Sequence, residues 1–216
     1  MIDVRMFTVG PVQENCFLVR EQGANRAVIV DPGDEPEKLL AAVDDLGITK
    51  VEAVLVTHTH FDHIGAVAPV AKATGAPVYC PQLETQVLAN IMDYVPWPGF
   101  GPFESYEADH TVAGGETLEL AGLTFDVLFT PGHSPGHVTY AARDEDALFS
   151  GDVLFQGSVG RVDLPGGDWQ TLLSSIESLV EAYPAETTVY PGHMGITTLG
   201  RERATNPFLS ELAENR

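Results

Sequence analysis

The chain is short of cysteine and of positive charge, and each shortage excludes something. Only Cys16 and Cys80 occur among 216 residues. Two cysteines cannot build the bridge framework of a small secreted domain, and these two are not spaced as a metal knuckle. Both are read as small buried hydrophobes in a reduced, cytoplasmic chain. Lysine and arginine number 11 against 31 aspartates and glutamates, a formal net charge of −20. So acidic a surface repels phosphate backbones and anionic lipids, and neither nucleic acid nor a membrane is an expected partner. No apolar run reaches the length of a membrane span, and Met1–Arg5 shows no basic-then-apolar leader. What is present is an ordinary globular composition, 44% hydrophobic and 19% charged, sufficient for a single domain over residues 1–216.

Short β-branched runs at Val4–Val9, Asn15–Arg20 and Ala27–Asp31 predict strands, separated by Gly10-Pro11 and by Gln22–Asn25. Leu39, Leu40, Val43 and Leu46 fall at helical spacing within Glu37–Leu46, and Gly47 stops the run. A strand at Val51–Val56, a small-residue helix at Gly65–Thr74, a strand at Pro77–Cys80 and a helix at Leu83–Ile91 follow. Pro96, Pro98, Gly99, Gly101 and Pro102 forbid a regular element over Tyr94–Tyr106. Trp97, Phe100 and Phe103 make that loop a candidate substrate wall or a surface loop pinned by its own aromatics. The second half predicts hairpins of Thr117–Leu120 with Thr124–Phe129 and of Val138–Ala142 with Ala147–Ser150. A helix at Trp169–Tyr183, a strand at Thr188–Tyr190 and a helical tail over Thr198–Leu212 complete it. Strands then helices, given twice, predict an α/β fold: an αββα sandwich of two mixed β-sheets flanked by helices.

Six of the seven histidines sit in an informative pattern. His58, His60, Asp62 and His63 form one H-x-H-x-D-H run directly after a predicted strand. His133 follows the strand ending at Phe129, Asp152 the one ending at Ser150, and His193 the one ending at Tyr190, each beside a glycine. Strand ends hold side chains rigidly, and glycine lets the backbone turn sharply enough to crowd them together. Five histidines and two aspartates are too many ligands for one tetrahedral ion and about right for two. Imidazole with carboxylate suits zinc first, with iron or manganese as alternatives. No cysteine lies in the run, which rules out a thiolate-rich structural zinc. His110 stands in a polar stretch and is read as a non-ligand. His137 shares the His133 turn and is a candidate to stand behind the ligands.

At these residues the sequence resembles the metallo-β-lactamase superfamily, and within it the glyoxalase-II-like hydrolases. The likeness runs from Val9-Gly10-Pro11-Val12-Gln13-Glu14-Asn15 through the ligand motifs and the Ser158–Asp168 loop to Asn206-Pro207-Phe208-Leu209, nearly the whole chain. The resemblance implies one metal on His58, His60 and His133 and another on Asp62, His63 and His193. Asp152 and a hydroxide would bridge them, with Asp62 and Asp152 as the catalytic carboxylates. It also implies a cysteine at position 152 in β-lactamases of the commonest subclass, and an inserted domain in the superfamily's nucleases. Hydroxyacylglutathione hydrolases proper carry a helical domain after the last ligand, whereas 23 residues follow His193 in these 216.

The expected reaction is hydrolysis of a small acyl thioester, with a metal-bridging hydroxide as nucleophile. A thiolate, with a pKa of about 8.5, leaves without a dedicated general acid. Arg161 is a candidate contact for a substrate carboxylate. Two relatives of the same fold remain open: a persulfide dioxygenase built on one iron, and a lactonase or esterase. A non-catalytic metal protein would not need the open position between two ions. The chain is expected as a monomer or homodimer.

Overall fold

Residues 1–209 are described in a computed structural model of the chain. One sheet holds β1 (Ile2–Val9), β2 (Glu14–Glu21), β3 (Arg26–Val30), β4 (Lys50–Leu55), β5 (Val78–Pro81) and β6 (His110–Val112), side by side in that order. Between β3 and β4 lies α1 (Pro36–Asp45); between β4 and β5 lie α2 (Phe61–Ile64) and α3 (Val67–Thr74); α4 (Thr85–Ala89) follows β5. The first two pairings are antiparallel and the next three parallel, so the sheet is mixed. The other large sheet contains β7 (Thr117–Leu120), β8 (Leu123–Phe129), β9 (Val138–Ala142) and β10 (Ala147–Gly151). After the small β11 (Leu154–Phe155) and β12 (Ser158–Val159) ribbon come α5 (Trp169–Ala182), β13 (Thr188–Pro191), β14 (Thr197–Thr198) and α6 (Leu199–Thr205). The order across this sheet is β14-β13-β10-β9-β8-β7, with β10 and β13 parallel. This is the expected αββα sandwich.

The strand period of two explains the layering. Phe17 and Val19 of β2, Val28 and Val30 of β3, and Ala53 and Leu55 of β4 face the second sheet, where Phe125, Val127, Tyr140 and Phe149 meet them. The alternate residues Leu18, Ile29 and Val54 face outward onto Leu39 and Val43 of α1 and Val67 and Val70 of α3. On the far side Leu172, Ile176 and Leu179 of α5 cover Leu148 and Val189. Each such valine, leucine, isoleucine or phenylalanine contributes about 1.5–3 kcal/mol on burial. Both cysteines are free and buried, Cys16 in β2 and Cys80 in β5, as expected. No helix among the described residues is long and apolar enough to cross a membrane.

Several boundaries differ from expectation. The helix expected over Gly65–Thr74 is α3, which begins at Val67, and a separate single turn, α2, precedes it inside the histidine run. The Leu83–Ile91 helix is a 3-10 turn (Gln82–Glu84), α4 and another 3-10 turn (Ile91–Asp93). The last expected helix covers Leu199–Thr205 and a 3-10 turn at Pro207–Leu209; its remainder lies outside the described residues.

Topology places the site. β8 and β10 are each antiparallel to β9, and β13 is parallel to β10, so all three end at one edge of the sandwich. Gly132 makes the turn after β8 possible. Its φ is +127°, and a Cβ there would stand 2.3 Å from the backbone nitrogen of Leu172 in α5. Its carbonyl accepts from the N–H of Asp168, whose carboxylate caps α5 by accepting from Thr171 N–H at 2.8 Å. Gly132→Ala adds a backbone clash to a strained φ, at a cost of about 2–4 kcal/mol. Thermal unfolding should show Tm lowered by roughly 5–15 °C.

Candidate metal centre

After β4 the chain bends at Thr57 and runs through His58 and Thr59 to an extended His60, and α2 then closes a single turn. His58 and His60 both reach the His133 ring, and the turn brings Asp62 and His63 round beside them. His133 arrives from the end of β8, Asp152 from β10 and His193 from β13. The seven expected ligands therefore converge, although they span 136 positions in sequence (58 to 193).

They form two groups. The nitrogens of His58, His60 and His133 make one trio and the ligand atoms of Asp62, His63 and His193 another, each set lying within 4.8 Å of one another. His133 Nε2 is 3.2 Å from His58 Nε2 and 2.7 Å from His60 Nδ1. His193 Nε2 is 3.2 Å from Asp62 Oδ2. Asp152 stands between the trios, with Oδ1 3.3 Å from His63 Nε2 and Oδ2 3.5 Å from His133 Nε2 and 3.6 Å from His193 Nε2. Gly192 permits this approach, since a Cβ there would lie 2.3 Å from Asp152 Oδ1.

Hydrogen bonds behind the rings fix their tautomers. His133 Nδ1 faces the Arg161 carbonyl at 2.7 Å, so Nδ1–H donates and the neutral ring turns a bare Nε2 inward. His63 Nδ1 donates to Asp31 Oδ2 at 3.1 Å. Thr57 gives its own hydroxyl proton to Asp31 Oδ2 at 2.6 Å, so its oxygen accepts from His58 Nδ1 at 3.1 Å. In their neutral forms the three imidazoles thus turn bare Nε2 atoms to a common space. His63 Nε2 and Asp152 Oδ1 are buried there without a hydrogen-bond partner. Buried polar atoms left without a partner are costly unless a cation, a proton or a metal ion, takes them. The donor set fits a binuclear metal site.

Sequence reasoning named His137 among the supports and missed the others. Asp31 also groups with His58 and His63 as a conceivable third trio. Its carboxylate, however, already accepts from Thr57 N–H, the Thr57 hydroxyl and His63 Nδ1–H, the pattern of an orienting residue. Buried Glu84 accepts from Thr59 N–H and hydroxyl, the Ser134 hydroxyl and Gly136 N–H, stapling the His58–His63 turn to the His133 turn. Asn15 holds the His193 turn, donating to the carbonyls of Pro191 and Met194. His137 does stand behind the ligands: its Nε2 accepts from Asp152 N–H at 3.1 Å, and its ring stacks on His58. His110 is exposed and lies against Tyr79, away from the centre. Glu14 is fully buried without a partner beside His63, and desolvation pushes its carboxyl well above the usual range.

The sequence profile of the metallo-β-lactamase superfamily matches residues 9–193. The chain belongs to that superfamily. It is similar to the hydroxyacylglutathione hydrolase GloC of Haemophilus influenzae, 33% identical over 97% of this chain and 99% of the relative. It superposes on the BLEG-1 B3 metallo-β-lactamase with a TM-score of 0.89 at 40% identity, covering 97% of this chain and 100% of that one. It superposes on a di-iron-bound form of TTHA1623 with a TM-score of 0.76 at 44% identity, covering 95% and 100%.

Charge in the centre is finely divided. Burial alone would raise Asp152, but His63 and His193 beside it hold its carboxyl far below the usual range. Burial alone would lower His63, but Asp152 and Asp62 outweigh it and hold the ring well above the ordinary imidazole value; His193 is raised by the same two carboxylates. Burial and His133 press His60 down to about 4. Without metal the two carboxylates therefore favour the protonated forms of His63 and His193, while burial disfavours that of His60. Coordination needs all of them neutral, so metal uptake should release protons, in the number of imidazoles that carry one without metal. Titration calorimetry in two buffers of different ionisation enthalpy reads that number, and metal affinity should weaken as pH falls.

Proposed function

We propose that the chain is a binuclear metal-dependent hydrolase of small acyl thioesters, of glyoxalase II type. His58, His60 and His133 would hold one divalent ion and Asp62, His63 and His193 the other, with Asp152 between them. Zinc is the first candidate, and the di-iron relative keeps iron beside it. The observation that carries this reading is the place of Asp152, within 3.6 Å of imidazole nitrogens from both trios. Two ions there would supply a hydroxide nucleophile near neutral pH and would offset charge developing on a carbonyl oxygen.

The chain's own residues set what else the reaction can be. Ser134, the hydroxyl nearest His133 in sequence, donates to Glu84 and is not poised as a nucleophile. Glu84 is committed to four donors and is not a free acid. Leaving groups that need no proton, thiolates foremost, suit such a site. The name of the Haemophilus relative supports the same class. A second reading, β-lactam hydrolysis, is favoured by the likeness to BLEG-1.

Wild type and Asp152→Ala, compared for S-lactoylglutathione hydrolysis and for metal content, test the proposal. The expected result is turnover with near two ions per chain, and in the variant a loss of at least 10²-fold in kcat with lowered metal. Nitrocefin turnover without thioester turnover would favour the second reading. One iron per chain with oxygen uptake on a persulfide would contradict both.

A further inference from the structure

The centre opens into a cavity of about 710 Å³, within the usual size of a small-molecule site of roughly 300–1,000 Å³. Its walls are uneven in chemistry. Ten large hydrophobic side chains are exposed among the described residues, and Leu83, Tyr94, Trp97 and Met194 are four of them. All four line this one cavity, with the half-buried Val87 and the exposed Pro165 beside them. Scattered exposed apolar residues need no explanation, but a gathering at the mouth of a reactive centre marks a binding wall. Folding alone does not account for it. Phe100 and Phe103 of the 94–106 loop do pack on Phe61. Trp97 touches the same ring only at 6.1 Å between centroids and stays 42% exposed, as does Leu83 at 69%.

The charges lining the cavity point the same way. Apart from the proposed ligands and the fully bonded Glu84, they are Asp93 and Arg161. Arg161 is committed: its guanidinium pairs with Asp163 through Nε at 2.6 Å and a second nitrogen at 2.7 Å, and lies 5.8 Å over the Trp97 ring. Passing Arg161 from Asp163 to a substrate carboxylate exchanges one exposed ion pair for another and gains little. A chain of net charge −20 adds general repulsion. A glutathione moiety brings two carboxylates and finds no free cation among the described lining residues.

We infer that the substrate class of this centre is the acyl thioester with an apolar acyl chain and an uncharged thiol part, the chain lying against Leu83, Val87, Tyr94, Trp97, Pro165 and Met194. This rests on the thioester reading for the reaction, while the choice of chain and charge rests on the cavity alone.

The test uses the metal-loaded protein and two kinds of probe. Acetyl, butanoyl and octanoyl thioesters of N-acetylcysteamine are compared in kcat/KM with S-lactoylglutathione. Separately, binding of the non-hydrolysable S-octyl-N-acetylcysteamine thioether is compared with S-octylglutathione by calorimetry. The expected kcat/KM rises about threefold per added methylene, and the octanoyl thioester exceeds S-lactoylglutathione at least tenfold. The neutral thioether binds at least about fivefold tighter than S-octylglutathione. Leu83→Ala and Trp97→Ala each lower kcat/KM for the octanoyl thioester by about tenfold, mainly through KM, with metal content unchanged. A flat chain-length series, or preference for the glutathione compounds, would overturn the inference while leaving thioester hydrolysis in place. Failure to hydrolyse any thioester, with the neutral octyl thioether still bound tighter, would instead remove the reaction and keep the ligand class.

Discussion

A carboxylate buried among imidazoles governs this structure. Asp152 is 6% exposed and faces His63, His133 and His193. An isolated ionised carboxylate at such depth is untenable, and pairing is what keeps it charged. That one requirement fixes the relative positions of three strand ends. β10 must deliver Asp152, β8 must deliver His133, and β13 must bring Gly192 close enough that any side chain would strike Asp152 Oδ1. The parallel pairing of β10 with β13 and the common direction of β8 are the topology that satisfies it.

Around this charge lies a ring of groups that do no chemistry of their own and determine what the ligands can do. Asp31 and Thr57 set His58 and His63, the Arg161 carbonyl sets His133, and His137 receives the Asp152 N–H. Glu84 and Asn15 tie the ligand-bearing turns together across the two sheets. Such supports commonly change metal affinity by about 10–100-fold when removed.

The ligands were legible because their signal is local. H-x-H-x-D-H is contiguous, and His133, Asp152 and His193 each follow a strand whose alternation is plain. The supports other than His137 were not, because their partners are remote. Asp31 meets Thr57 26 positions on, Glu84 meets Gly136 at a separation of 52, and Asn15 meets Pro191 at 176. The three-residue β6 and the two-residue β11, β12 and β14 are too short to show a period. The proline- and glycine-broken 94–106 segment was recognisable as a loop, but only the fold shows that Phe100 and Phe103 anchor it on Phe61 while Trp97 is turned to the cavity.

The central claim is that two ions sit either side of Asp152, and anomalous diffraction from crystals of the metal-loaded protein tests it most directly. The account predicts two peaks about 3.5–4 Å apart, one within the His58, His60 and His133 trio and one within Asp62, His63 and His193, with Asp152 touching both. A single peak in the first trio, with Asp62, His63 and His193 bonded only to one another, would contradict it.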